Sequence, residues 1–109
     1  MGLSQTHCEA CNKNTLKLSA EEAARLLAQL SGWAICGDGK WLEKSYKFKK
    51  FADALVFVNK AGEVAEAECH HPDIAFGWGY ATIRLQTHVI DGLHVNDFIV
   101  AAKIDEISG

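Results

Sequence analysis

The side chains best suited to proton transfer are crowded into one stretch, Glu66–Asp73, which reads EAECHHPD. It holds two adjacent imidazoles, His70 and His71, next to the only proline of the chain. A third imidazole, His88, follows further on, with Trp78 between. Because imidazoles change protonation state near neutral pH, this set could donate and accept protons in the reaction of a flat polar ring.

Each of these residues also has a plain structural explanation. The histidine pair could cap a helix that must end before Pro72, since the residue before a proline disfavours helical geometry. Glu66 lies four positions before His70, and on a helix it would face and orient that ring. His88 alone would more often be a surface residue. Trp78 suits a core or an interface as well as it suits a ligand site.

A zinc ion held by three histidines is the main alternative chemistry. Adjacent histidines on a helix point about 100° apart, whereas helical zinc ligands are typically four positions apart on one face. Cys8 and Cys11 have the spacing of half a structural zinc site, but the sequence holds no second pair of that spacing. We therefore expect no metal and no other cofactor, and we treat all four cysteines as free thiols.

The elements that must position these residues follow from capping, turn and periodicity signals. Ser19 and Glu22 form a capping box, Gly37–Lys40 is typical of a hairpin turn, and an apolar stripe of helical period begins at Phe51. If His94 caps the last helix, Asp97 is its third residue and has a structural role there. The predicted order is helix 20–31, strands 33–36 and 41–48, helix 51–70, strands 74–78 and 80–88, and helix 95–107.

This order predicts an α+β fold, in which a four-stranded antiparallel sheet carries the helices on one face. Residues 1–109 are predicted to form a single domain, with residues 1–14 as a loose N-terminal arm. Open edges in so small a sheet favour a homodimer or a higher oligomer.

The composition excludes several classes of function. A net charge of −3 and a pI near 5.9 argue against a nucleic-acid surface. No apolar run is long enough to cross a bilayer, and the polar N-terminus lacks the apolar segment of a signal peptide. A cytoplasmic protein without membrane partners is the expectation.

The order of these residues is similar to a known signature. Glu66, His70-His71-Pro72, Trp78, His88 and Asp97 follow one another as in the pterin-4a-carbinolamine dehydratases. The segment His7–Cys11, HCEAC, resembles the N-terminal arm of bacterial members, and the similarity spans essentially the whole chain. One departure is Ile74, at a position where many members carry an aromatic residue.

The resemblance implies the same fold, assembled as dimers or tetramers. It implies the dehydration of 4a-hydroxytetrahydrobiopterin to quinonoid dihydropterin, which recycles the pterin of aromatic amino-acid hydroxylases such as phenylalanine hydroxylase, without a cofactor. By analogy, His70 and His71 are the acid and base candidates, and His88 binds the pterin and shares in proton transfer. The remaining roles are substrate binding for Glu66 and Trp78 and structural support for Asp97 and Pro72.

Two alternatives to this function stay open. Vertebrate relatives also act as dimerisation cofactors of a homeodomain transcription factor, so a non-catalytic binding module is the first. A histidine-ligated zinc enzyme is the second.

Overall fold

The structure is a computed structural model that describes residues 2–108. The predicted order of helices and strands is confirmed. The elements are α1 (Ala20–Leu27), β1 (Ala34–Cys36), β2 (Trp41–Lys47), α2 (Phe51–Glu68), β3 (Asp73–Gly77), β4 (Tyr80–Leu85) and α3 (Val95–Ser108), with short 3₁₀ turns at Leu3–Gln5 and His88–Ile90.

The four strands form one antiparallel sheet in the order β1-β2-β4-β3. Alternate residues of the two central strands point towards the helices, and Leu42, Ile83 and Leu85 are fully buried against them. The opposite face is polar: the Arg84 guanidinium lies 4.3 Å from the ring centroid of Trp41 and its Nε lies 2.8 Å from Glu43 Oε1. Such a division between a buried and a solvated face is usual for antiparallel sheets.

Lys44 keeps this alternation in spite of its charge. Its ammonium group donates to Asp105 Oδ1 and to the Ser31 carbonyl oxygen, both at 2.8 Å. Asp105, on α3, also accepts hydrogen bonds from the Tyr46 hydroxyl at 2.6 Å and from Trp33 Nε1 at 2.9 Å. One carboxylate therefore ties α3 to the sheet.

The β3–β4 hairpin decides which residues can meet. Asp73, which follows the histidine pair, is opposite Arg84 near the end of β4. The histidine pair and the segment that leads to His88 therefore lie at the same end of the hairpin. Gly77 is opposite Tyr80 at the other end, where Trp78 occupies the turn. Since a strand rises about 3.3 Å per residue, the two ends lie roughly 13 Å apart.

Three element boundaries differ from the predictions by two or more residues. Helix α1 ends at Leu27 rather than residue 31, and α2 ends at Glu68 rather than residue 70. Strand β4 ends at Leu85, and His88 begins a 3₁₀ turn instead of closing the strand. The turn arises because the chain reverses at Asp91, which has a positive φ of 48°, and returns to form the bridge between Thr87 and Gly92.

The prediction of a loose N-terminal arm is wrong for residues 3–11. Leu3 and Cys8 pack against the core, and the Ser4 hydroxyl donates to Glu106 Oε2 at 2.6 Å. Lys103, also on α3, donates to the Ser4 carbonyl oxygen at 3.0 Å. The arm lies along α3 because its backbone finds hydrogen-bond partners there, which a polarity pattern does not reveal.

Candidate active site

The end of α2 sets the direction of the two adjacent imidazoles. Cys69 takes the left-handed conformation, with φ 53° and ψ 38°. Its N–H donates to the Glu66 carbonyl oxygen, and the N–H of His70 donates to that of Ala65. These two bonds define a Schellman motif, which ends a helix and turns the chain sharply. His70 and His71 therefore leave the helix before they can follow its 3.6-residue period.

His70 turns inwards and pairs with Asp97. Its Nε2 lies 2.6 Å from Asp97 Oδ1, and Asp97 is fully buried. The second carboxylate oxygen accepts hydrogen bonds from the Thr87 hydroxyl at 2.8 Å and from the His94 backbone N–H at 3.0 Å. An ionised Asp97 requires His70 to carry its proton on Nε2, which leaves Nδ1 as the nitrogen available for chemistry.

Asp97 thus has a larger role than its position in α3 suggested. The predicted helix cap is present, because His94 Nδ1 accepts from the Asn96 N–H at 3.2 Å and the Asp97 carboxylate binds the His94 N–H. The same carboxylate also orients His70. A buried carboxylate behind an imidazole fixes its tautomer and stabilises the imidazolium that forms during proton transfer.

Glu66 contacts His71 rather than His70. Glu66 Oε1 lies 2.9 Å from His71 Nε2, and both side chains are largely exposed. The expected pairing four positions apart fails because α2 ends two residues before His70 and Cys69 reverses the chain. Glu66 can therefore orient His71, while the orientation of His70 depends on α3.

His88 reaches the same end of the sheet from the 3₁₀ turn. Its ring is exposed and makes an edge-to-face contact with Trp41, with ring centroids 5.7 Å apart and planes at 75°. Edge-to-face packing restricts the orientation of the His88 ring.

A cavity of about 580 Å³ brings the three imidazoles together, a size typical of small-molecule sites. The walls come from the end of α2, the segment after β4, the start of α3 and the N-terminal arm. The lining residues are His7–Cys11, Ala67–His71, Gln86–Val89 and Asn96. Glu66 and Pro72 are the sequence neighbours of the lining segment Ala67–His71 and do not line the cavity themselves. Trp78 is 76% exposed at the far end of the hairpin.

The arm and Glu68 are contributions that the sequence reading missed. Glu68 had no predicted role, and His7 belongs to the N-terminal arm that was predicted to be loose. Yet the Glu68 side chain is only 6% exposed, and it accepts from the Cys8 N–H at 2.7 Å and pairs with His7 Nδ1 at 3.0 Å. The only available signal was the similarity of the HCEAC segment to bacterial arms.

The pKa values of Glu68 and of the nearby Cys8 and Cys11 thiols are shifted from their ordinary values. Burial would raise the pKa of its carboxyl, but the hydrogen bonds from Cys8 and His7 and the charge of Lys103 lower the pKa to about 2. Burial, reinforced by Glu68, raises the pKa of the Cys8 thiol to about 12. Burial likewise raises the pKa of Cys11. The Cys8 and Cys11 sulfurs in the cavity wall are therefore neutral thiols near pH 7.

The arrangement suits acid–base chemistry on an uncharged or weakly charged ring. One imidazole is backed by a buried carboxylate, three more (His7, His71 and His88) are exposed, and the neutral Cys8 and Cys11 thiols also line the cavity. Within residues 2–108, no three His, Cys, Asp or Glu side chains are grouped so as to hold a metal ion. Nor does this part of the chain contain a helix long and apolar enough to span a membrane.

These features define a small α+β protein with an imidazole-lined acid–base cavity. The chain belongs to the pterin 4 alpha carbinolamine dehydratase family, whose model matches residues 16–107. A relative from Halorhodospira halophila, provisionally named a pterin-4-alpha-carbinolamine dehydratase, is 46% identical over 107 residues, which is 98% of each chain. A second with the same provisional name, from Aromatoleum aromaticum, is 48% identical over 93% of this chain and 90% of its own.

Solved structures share the fold. A transcriptional coactivator/pterin dehydratase from Brucella melitensis has a TM-score of 0.82 at 30% identity, covering 86% of this chain and 100% of its own. A pterin dehydratase-like RuBisCO assembly factor of the alpha-carboxysome has a TM-score of 0.63 at 26% identity, covering 72% and 90%. The second similarity extends over less of the chain.

Proposed function

We propose that this protein removes water from 4a-hydroxytetrahydrobiopterin to give quinonoid dihydropterin. The bond from carbon 4a to its hydroxyl oxygen breaks, and that oxygen leaves as water after receiving a proton. The proton on the neighbouring ring nitrogen is removed, and the electron pair left behind forms the new carbon–nitrogen double bond. No electrons are exchanged with another molecule, so the reaction needs only an acid and a base.

His70 is proposed as the base. Its Nε2 proton is directed at Asp97, so Nδ1 can accept the ring proton while the buried carboxylate stabilises the imidazolium. His71, oriented by Glu66, and His88, packed on Trp41, are the candidates for delivering a proton to the departing hydroxyl. Asp97 is a positioning residue, and Pro72 supports the turn that follows the pair.

The single observation that carries this proposal is the buried His70–Asp97 pair at the wall of a cavity that also holds His71 and His88. A helix cap alone would not need an imidazole on the buried carboxylate. Membership of the family supplies the substrate class. Trp78, taken from the signature as a substrate-binding residue, lies too far along the hairpin to support that role within its own protomer.

The test generates the 4a-hydroxy pterin with a tetrahydropterin-dependent hydroxylase and follows its disappearance by ultraviolet absorbance. We expect the wild type to accelerate this step, and His70→Ala and His88→Ala to lose on the order of 10² in kcat or more. Asn59→Ala, an exposed change on α2, is the control and should match the wild type. Loss of water at the uncatalysed rate with wild-type protein would exclude the activity.

The proposed setting is the cytoplasm, where a phenylalanine hydroxylase would supply the substrate, and the proposed assembly is a homodimer or homotetramer. Open sheet edges at β1 and β3 and exposed apolar residues on α2 support self-association. In a coupled assay with limiting tetrahydropterin and a dihydropterin reductase, added protein should raise the sustained rate of hydroxylation. An unchanged rate would remove the link to the hydroxylase.

A binding module is the second candidate, and the two solved relatives favour it. One is described as a transcriptional coactivator as well as a pterin dehydratase, and the other as an assembly factor. A stoichiometric protein partner recovered from cell extract, together with no turnover of the 4a-hydroxy pterin, would support this reading. Turnover that depends on His70 would favour catalysis.

A further inference from the structure

The N-terminal arm is the least explained part of the cavity wall. Residues 7–11 line the cavity, but they precede the segment that the family model matches, which starts at residue 16. Among residues 7–11 only Cys8 packs against the core, so the hydrophobic effect alone does not hold this segment. Its position must depend on a few specific hydrogen bonds.

Two side chains supply most of those bonds. Glu68, at the end of α2, accepts from the Cys8 N–H and pairs with His7, and Lys103 Nζ lies 3.5 Å from the same carboxylate. Asn96, only 1% exposed, pairs with the backbone of Glu9 at both ends of its amide. Its Nδ2 donates to the Glu9 carbonyl oxygen at 2.7 Å, and its Oδ1 accepts from the Glu9 N–H at 3.0 Å.

Both attachment points adjoin the proposed catalytic residues. Asn96 precedes Asp97, the partner of His70, on the first turn of α3. Glu68 is the last residue of α2, two positions before His70. The arm is thus fixed to the two elements that hold the imidazole, and it lines the same cavity.

The chemistry of the arm suits a flat heterocycle. The Cys8 and Cys11 sulfurs are held near Asn96, with Cys8 Sγ 3.6 Å from the Asn96 carbonyl oxygen and Cys11 Sγ 3.3 Å from Nδ2. Neutral sulfur is polarisable and packs favourably against aromatic rings. A flat ring bound in this cavity would therefore find soft, uncharged sulfur atoms in the arm.

We propose that residues 7–11 form a substrate-binding wall of the cavity and that Glu68 is the positioning residue that holds this wall in place. This inference rests on the proposed function, because it takes the ligand to be a pterin. Glu68 itself does not touch the reacting atoms in this proposal. Its effect is on how tightly the pterin binds.

Glu68→Gln is the test variant, because it removes the charge while keeping the size of the side chain. Glu63→Gln makes the same change at an exposed position one turn earlier on α2 and is the matched control. The probe is 7,8-dihydrobiopterin, with binding followed by its fluorescence. We expect Glu68→Gln to weaken binding and raise KM by about tenfold, the factor expected for one charge-assisted hydrogen bond. The kcat value should stay within about threefold, and the control should match the wild type.

A second measurement reports whether the arm has moved. A maleimide reagent modifies the thiols, and mass spectrometry gives the rate at each cysteine, with Cys36 on β1 as the internal reference outside the cavity. In Glu68→Gln, Cys11 should react faster relative to Cys36, and its rate reports movement because Glu68 does not contribute to the shifted pKa of this thiol. In the wild type, bound dihydrobiopterin should slow the reaction of Cys8 and Cys11 but not that of Cys36.

The outcomes separate the two proposals. Wild-type protein that neither binds dihydrobiopterin nor turns over the 4a-hydroxy pterin would overturn the proposed function itself. If the wild type binds, unchanged Cys11 labelling in Glu68→Gln would overturn Glu68 as the anchor. Faster labelling with unchanged binding would overturn the arm as a wall, and a fall in kcat alone would place the effect at His70 instead.

Discussion

The Asp97 carboxylate has two roles, because it caps α3 and also orients His70. It caps the first turn of α3 through the His94 N–H, and it holds His70 Nε2 at 2.6 Å. Full burial makes the carboxylate a costly group unless its oxygens are satisfied, and three donors satisfy them. The helix cap thereby provides a preorganised anion behind the proposed base.

We expect Asp97→Asn to lower kcat on the order of 10² or more. The amide of Asn can donate to Nε2, which favours the tautomer with its proton on Nδ1 and removes the lone pair that faces the cavity. The effect is measured by ultraviolet kinetics coupled to the hydroxylase. Asp73→Asn, at an exposed position that follows His70-His71-Pro72, is the control. A normal kcat in a folded Asp97→Asn protein would reduce Asp97 to a helix cap.

At the scale of single elements, the end of α2 determines which histidine faces which partner. Cys69 adopts a left-handed conformation that side chains other than glycine enter at a cost of about 1–2 kcal/mol. This conformation releases His70 from the helix and directs its ring to Asp97 on α3. Glycine would fit this position with no such steric cost.

Cys69→Gly should therefore raise the free energy of unfolding by about 1 kcal/mol, after part of the gain is offset by the greater chain entropy of glycine in the unfolded state. Urea unfolding at pH 7 measures the change. Ala67→Gly, inside the last turn of α2, should lose about 1 kcal/mol. A loss of stability in Cys69→Gly would show that the thiol contributes more than the backbone conformation costs.

The helices and strands also show which features of the structure could be predicted from the sequence. Periodicity and turn signals predicted the order of helices and strands, because apolar faces and glycine turns are local properties. The partner of His70 could not be predicted locally, since it depends on a left-handed residue that is not glycine and on a contact between positions 70 and 97. The arm was missed for a similar reason, because two polar contacts over about sixty and ninety residues hold it.

Attachment of the arm to α2 should depend on pH through Glu68. The pKa of this carboxyl falls from an ordinary 4.5 to about 2 in the folded protein. A lowered folded-state pKa means that the ionised group stabilises the fold fully above pH 4.5 and that this contribution is lost as the pH falls towards 2.

The measurement is the difference in melting temperature between the wild type and Glu68→Gln. At pH 7 the variant should be less stable by about 2 kcal/mol, as for a charge-assisted hydrogen bond. The difference should shrink progressively at pH 4 and pH 3, within the window set by the two pKa values. Glu63→Gln should show no such trend. A difference that is constant with pH would mean that the Glu68 charge does not hold the arm.

At the scale of the whole molecule, the cavity and the exposed apolar patch at the start of α2 lie on different parts of the chain. The cavity walls come from the arm, the ends of α2 and β4, and the start of α3. Phe51, Leu55 and Val56, near the start of α2, are 45%, 40% and 53% exposed. Surface of this kind is typical of an interface between copies or with a partner.

This separation predicts that assembly and ligand binding can be uncoupled. Leu55→Glu should shift the protein to smaller species in sedimentation velocity, because a desolvated carboxylate is costly at an apolar interface. Lys60→Glu puts the same charge at another exposed position of α2 and should leave the assembly intact. The dissociated Leu55→Glu protein should still bind dihydrobiopterin within about twofold of the wild type, a free-energy change below 1 kcal/mol. If binding is instead lost in step with dissociation, a second copy must complete the cavity, and the exposed Trp78 becomes the first residue to examine at that contact.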